Sequence, residues 1–130
     1  MSIIVAVKLP KGTITKITGM SNQRVKECNR IEKVVQLLAI FHILAYELDD
    51  GIAIMSNPSI LKMQKKVLSV PTFNDHRLAM AFTILSVAVC DDNKVIIEDA
   101  RTVEKTFPQF WSHIKGNVSN LLSTMPITYS

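Results

Sequence analysis

Residues 31–54 read IEKVVQLLAIFHILAYELDDGIAI, and the apolar period changes partway along. Ile31, Val34, Val35, Leu38 and Phe41 recur at helical spacing, with Cys28 one turn earlier. That spacing predicts an amphipathic helix over residues 24–42. Ala45-Tyr46-Glu47-Leu48 follows, then the turn signal Asp49-Asp50-Gly51, then Ile52-Ala53-Ile54. This second half reads as a β-hairpin. A helix that runs into a hairpin within so few residues points to an α/β layer structure.

The flanking sequence extends the pattern. On the amino-terminal side, Thr13-Ile14-Thr15-Lys16-Ile17-Thr18 alternates apolar and polar residues, as a half-buried strand does. Residues 1–9 are apolar and fit either a strand or the end of a helix, and Pro10-Lys11-Gly12 breaks the chain after them. Gly19 to Asn22 reads as a turn. On the carboxy-terminal side, residues 56–70 read as a surface loop or short strand. A second helix follows Pro71-Thr72-Phe73-Asn74, with Leu78, Phe82, Leu85 and Val89 as its buried stripe and Asp91-Asp92-Asn93 as its end. Val95-Ile96-Ile97 reads as a short buried strand. A third helix is expected to begin around Thr106-Phe107-Pro108, because Thr caps well and Pro is tolerated in a first turn. Phe110, Trp111 and Ile114 supply its apolar side, with Gly116 as its stop. The expected fold is therefore α/β, with helices packed on a mixed β-sheet. Residues 1–116 form one domain in this reading and residues 117–130 a polar tail.

Composition excludes several classes. The chain has 130 residues, 48% hydrophobic and 20% charged, which suits one globular domain and not a disordered chain. Four Gly and five Pro rule out collagen-like or low-complexity sequence. The two cysteines, Cys28 and Cys90, form no CxxC pair, so a disulfide framework is not expected and a reducing compartment such as the cytoplasm is. No signal or transit peptide is expected at the start, and no apolar run is long enough to span a membrane. His42 and His113 have no ligand-type partners at metal spacing and read as structural. A small basic nucleic-acid binder is disfavoured, because no recognised motif or interleaved aromatics are present.

The net charge of +4 decides little as a sum. Its placement is more informative. Lys26 and Arg30 are four apart near the start expected for the first helix, His76 and Arg77 open the second, and Lys105 stands just before the third. Helix starts carry partial positive charge and ordinarily favour acids. Such bases are either solvated surface groups or an anion site, where backbone N–H groups, the dipole and an added base attract phosphate or carboxylate together. The repeated violation in one sense favours the anion site. Glu27 lies inside the first cluster, as a salt-bridge partner or as a proton donor beside a bound anion. Asp75 reads as the cap that fixes His76-Arg77.

Three runs carry a family resemblance. Asn22-Gln23-Arg24-Val25-Lys26-Glu27-Cys28-Asn29-Arg30 resembles the motif of 5-enolpyruvylshikimate-3-phosphate synthase (3-phosphoshikimate 1-carboxyvinyltransferase) that carries shikimate-side ligands and a catalytic acid. Asn74-Asp75-His76-Arg77-Leu78-Ala79-Met80-Ala81-Phe82 is similar to the family's DHR-x-AM signature, and Lys105-Thr106-Phe107-Pro108 to its KTFP motif. The form with Cys28 and Asn29 is most similar to the synthase domain of arom-type pentafunctional polypeptides of fungi. The resemblance runs from about Thr13 to Lys115. It implies a partial enolpyruvyl transferase domain, a βαββαβα-type repeat unit of the inside-out barrel fold. It implies transfer of enolpyruvyl from phosphoenolpyruvate to shikimate 3-phosphate, without metal or organic cofactor, in the shikimate pathway. Asn22 and Lys26 would bind shikimate 3-phosphate, and Glu27 would donate the proton. Arg30, Arg77 and Lys105 would hold phosphoenolpyruvate, with Asp75 and His76 shaping that pocket.

The resemblance covers the carboxy-terminal part of the family enzyme. The family's Asp general base lies upstream of the strand at residues 13–18, and its amino-terminal domain has no counterpart here. The family's Gly near the end of the first helix is replaced around His42-Ile43. The expectation is a fragment inactive by itself, with a missing amino-terminal domain as possible partner. The rival reading is a catalytically dead remnant that binds anions or a protein.

Overall fold

The computed structural model describes residues 2–26, 28–58, 68–89, 95–113 and 127–129. They fall into two compact units, Met1–Met63 and Gln64–Ser130. The α/β reading holds in each.

In the first unit, helix α1 (Ser2–Lys8) precedes strand β1 (Ile14–Ile17), helix α2 (Arg30–Ile40) and strands β2 (Leu44–Leu48) and β3 (Gly51–Met55). The ambiguous start is thus helical, with Ala6 and Val7 buried. The three strands form an antiparallel sheet in the order β1-β3-β2. β3 is central, which matches its unbroken apolar run: Ile52, Ala53 and Ile54 are all buried. The expected hairpin is present, with Leu48 opposite Gly51 across Asp49-Asp50. Gly51 is required sterically. A Cβ there would lie 1.8 Å from the Ile17 carbonyl oxygen, a backbone atom that cannot swing aside.

Helix α2 begins later than its apolar spacing suggests. Arg30 is its first residue, and Asn29 is its cap, accepting a hydrogen bond from the Glu32 amide at 3.3 Å. Lys26 is extended, at φ −87° and ψ −157°, and a 3-10 helix (Ser21–Val25) precedes it. The expectation of a helix from residue 24 is therefore corrected. Lys26 and Arg30 do not share a helix face, because the Asn29 cap, which accepts from the Glu32 amide, starts the helix beyond Lys26. The buried face consists of Ile31, Val34, Leu37, Leu38 and Phe41.

The end of α2 places His42 in an unusual conformation. The Ile43 amide donates to the Leu38 carbonyl at 3.0 Å, and the His42 amide to the Ala39 carbonyl at 2.9 Å. This pair of bonds is a Schellman cap, and it puts His42 in the left-handed region at φ 57°. Glycine is the residue that such a position favours.

In the second unit, strands β4 (Leu68–Val70), β5 (Val95–Ile97) and β6 (Ile127–Tyr129) form a parallel sheet in the order β4-β5-β6. β5 is central, with Val95 and Ile97 buried as expected. Residues 127–129, read from composition as part of a polar tail, form the strand beside it. Helix α3 (His76–Val89) buries Leu78, Ala79, Phe82 and Leu85. Thr83 and Ser86 are buried too, and their hydroxyls bond back to the carbonyls of Ala79 (2.7 Å) and Phe82 (2.6 Å). The expected helix end at residues 91–93, with Cys90, lies outside the described residues.

The third helix is found where expected, with one addition ahead of it. A 3-10 helix (Ala100–Lys105) comes first and packs against α3. Asp99, left-handed at φ 48°, starts it, and Ala100, Thr102 and Val103 are buried. Trp111 pins the following turn, its Nε1–H donating to the Ala100 carbonyl at 3.0 Å. Residues 110–113 are helical. Thr106 closes this 3-10 helix, its amide donating to the Val103 carbonyl at 3.1 Å, and the helical residues 110–113 follow shortly after it, while Ile114 and Gly116 lie outside the described residues. Among the described residues, no helix is long and apolar enough to cross a membrane.

Two stability outcomes follow from these contacts. His42→Gly relieves the left-handed side chain and should stabilise the chain by about 0.5–1 kcal/mol, read as a higher midpoint in thermal unfolding. Gly51→Ala should cost about 1–3 kcal/mol or more by driving β3 away from the Ile17 carbonyl, and an unchanged midpoint would contradict that close approach.

Candidate functional site

The first set of site residues surrounds the start of α2. Asn22 lies in the 3-10 helix Ser21–Val25 and Lys26 directly after it, and both are exposed. The 3-10 helix has no buried residue, so polar contacts hold it. Arg24 donates from Nη1 to Glu47 Oε1 at 2.8 Å, from Nη2 to the Leu48 carbonyl at 2.7 Å and from Nε to the Asp49 carbonyl at 3.3 Å. Ahead of it, the Met20 amide donates to the Asp50 carbonyl (2.6 Å) and the Gly19 amide to the Asp50 carboxylate (3.2 Å). Behind it, Gln23 Oε1 accepts from Arg30 Nη1 at 2.9 Å. Arg30 is 6% exposed at the first turn of α2. The segment with Asn22 and Lys26 is therefore joined to the helix start with Arg30. Glu27 lies outside the described residues.

The second set surrounds the start of α3. Asp75 is fully buried and accepts from the amides of Arg77 (2.9 Å) and Leu78 (3.4 Å), as an N-cap does. His76 and Arg77 occupy the first turn of the helix, half-buried and exposed respectively. The two residues ahead of the cap, Phe73 (φ 51°) and Asn74 (φ 58°), are both left-handed. Asn tolerates that region, whereas for Phe it is a strained choice. The Thr72 hydroxyl beside them is buried without a hydrogen-bond partner among the described residues. Lys105 is exposed at the carboxy-terminal end of its 3-10 helix, which packs against α3.

Placement of the bases is therefore two helix starts, not three. Arg30 and the His76-Arg77 pair stand where the backbone already attracts anions. Lys105 stands at a helical end, where a base is ordinary. Among the described residues, no three His, Cys, Asp or Glu side chains are arranged to hold a metal ion. Residue spacing did not reveal Gln23 and Arg24 as supports of the site. Arg24 binds residues more than twenty positions away, so no local pattern announces it.

Comparison with known proteins agrees with the motifs. A family model for EPSP synthase (3-phosphoshikimate 1-carboxyvinyltransferase) matches residues 1–114. The chain is 45% identical over 98 residues to the pentafunctional AROM polypeptide of Schizosaccharomyces pombe, covering 75% of this chain and 6% of that protein. It is 41% identical over 122 residues to the pentafunctional AROM polypeptide of Scheffersomyces stipitis, covering 91% of this chain and 8% of that protein. The chain thus spans a small part of the length of these relatives. The solved EPSP synthase of Acinetobacter baumannii shares the fold at a TM-score of 0.61 and 24% identity, covering 98% of this chain and 26% of that one. With the three motifs inside the matched residues and two of them setting bases at helix starts, the chain belongs to the EPSP synthase family.

Proposed function

We propose that this chain supplies part of the substrate site of an enolpyruvyl transferase of the shikimate pathway. The reaction moves enolpyruvyl from phosphoenolpyruvate to the 5-hydroxyl of shikimate 3-phosphate and releases phosphate. The observation that carries the reading is the family match over residues 1–114, which contains all three motif runs. The substrates bear two phosphates and two carboxylates between them, and paired bases at helix starts suit such ligands.

In this reading Asn22 and Lys26 face shikimate 3-phosphate. Arg30, Arg77 and Lys105 hold phosphoenolpyruvate, and Asp75 fixes His76 and Arg77 in that pocket through its cap. Glu27 donates a proton to the methylene carbon of phosphoenolpyruvate while the 5-hydroxyl gives its proton to the family's Asp general base and its oxygen bonds to the neighbouring carbon. Loss of a proton from the new methyl group, together with departure of phosphate, then restores the double bond. A carboxyl group beside bound anions keeps its proton more readily, which suits a donor. Residues 1–116 carry this transferase portion, and the protein works in the cytoplasm, consistent with two widely separated cysteines. Turnover requires the remainder of the two-domain cleft, because a partial site neither orients both reactants nor excludes water.

A coupled phosphate-release assay tests the proposal. The chain alone should release no phosphate, and addition of the amino-terminal part of a family enzyme should restore release. Glu27→Gln should then lower the rate by about a hundredfold or more, the range of a lost general acid. Substrate binding without any restored release would favour the rival, a remnant that binds anions without catalysis.

A further inference from the structure

We propose that Arg24 is a positioning residue for the shikimate 3-phosphate side of the site, fastening the segment with Asn22 and Lys26 to the β2–β3 turn. The inference rests on the functional reading above, in which those two residues face that ligand.

Three observations carry it. First, the 3-10 helix Ser21–Val25 buries no residue, and Val25 is 82% exposed. Apolar packing therefore does not hold this segment in place. Second, the Arg24 guanidinium donates to three consecutive residues of the hairpin, Glu47, Leu48 and Asp49, two of them through backbone carbonyls. An exposed ion pair with Glu47 alone would contribute little. A planar fork that engages a carboxylate and two carbonyls sets a direction as well as an attraction. Third, the platform is itself tied to the end of β1. Gly51 lies against the Ile17 carbonyl, and Asp50 receives the Gly19 and Met20 amides at the point where the segment departs from β1. The segment is thus anchored at its front by Asp50, in its middle by Arg24 and toward α2 by Gln23. Arg24 is the anchor nearest Lys26, and it sits two positions from Asn22.

The test compares the wild-type chain with Arg24→Ala and Arg24→Lys in calorimetric titrations with shikimate 3-phosphate, with amide NMR shifts recorded alongside. Arg24→Ala should weaken binding about ten- to a hundredfold, the scale of a misplaced binding group. Amide shifts should change at residues 19–26 and in the hairpin turn but not along α2. Arg24→Lys keeps the charge and the stem but not the fork, so it should weaken binding similarly. Recovery of wild-type affinity in Arg24→Lys would mean that Arg24 acts by charge alone and would overturn the inference. Unchanged affinity in Arg24→Ala would overturn it too, and if that variant fails to fold, Arg24→Lys decides. Absence of binding by the wild-type chain even when the amino-terminal part of a family enzyme is added would instead overturn the functional reading, and the inference with it.

Discussion

Two side-chain oxygens set where the helices of this chain begin, and the positions of its bases follow from them. Asn29 accepts from the Glu32 amide, and Asp75 accepts from the amides of Arg77 and Leu78. Each cap satisfies donors that a helix start otherwise leaves exposed. Each also ends the preceding segment, so that the next residue opens the helix. That next residue is Arg30 in one case and His76, followed by Arg77, in the other. Bases at such positions oppose the helix dipole. A bound anion would reverse the sign of that cost, which is why the arrangement suits phosphate and carboxylate ligands.

The supports behind the bases differ between the two units. In the first, the 3-10 segment with Asn22 and Lys26 hangs on hydrogen bonds to the β2–β3 turn and on Gln23 to Arg30. The turn can serve as a platform because Gly51 lets β3 approach β1 closely. In the second unit, a buried carboxylate and two left-handed residues shape the entry to α3, and its wide buried face includes hydroxyls bonded to the helix's own carbonyls. In the first unit the candidate residues are thus fastened through surface hydrogen bonds, and in the second through a buried cap.

Much of the fold was legible because it is written in local periods. Alternation at residues 13–18, the helical stripe from Ile31 to Phe41, the hairpin around Asp49-Asp50 and the stripe of α3 all correspond to observed elements. Helix starts were less legible. Cys28 and Val25 continue the apolar spacing of α2 backwards, but the Asn29 cap bond prevents the helix from following it. At residues 100–113 the reading of Thr106-Phe107-Pro108 as a start was locally sound. What it missed is the 3-10 helix ahead of that start, held by burial of Ala100 and Val103 and by the Trp111 bond to Ala100. The left-handed conformation of His42 in a Schellman cap needed the backbone.

The sequence by itself determined the family, the α/β class and the identity of the charged residues, because motifs and periods are properties of neighbouring positions. Tertiary structure decided which of those charges stand at helix starts and what holds them. It removed Lys26 from α2, turned Lys105 from a residue before a helix into one at a helical end, and brought Arg24 onto the hairpin. The physical reason is the range of the interactions. A cap bond, a guanidinium on distant carbonyls and a glycine against a neighbouring strand depend on atoms far apart along the chain, which spacing alone does not reveal.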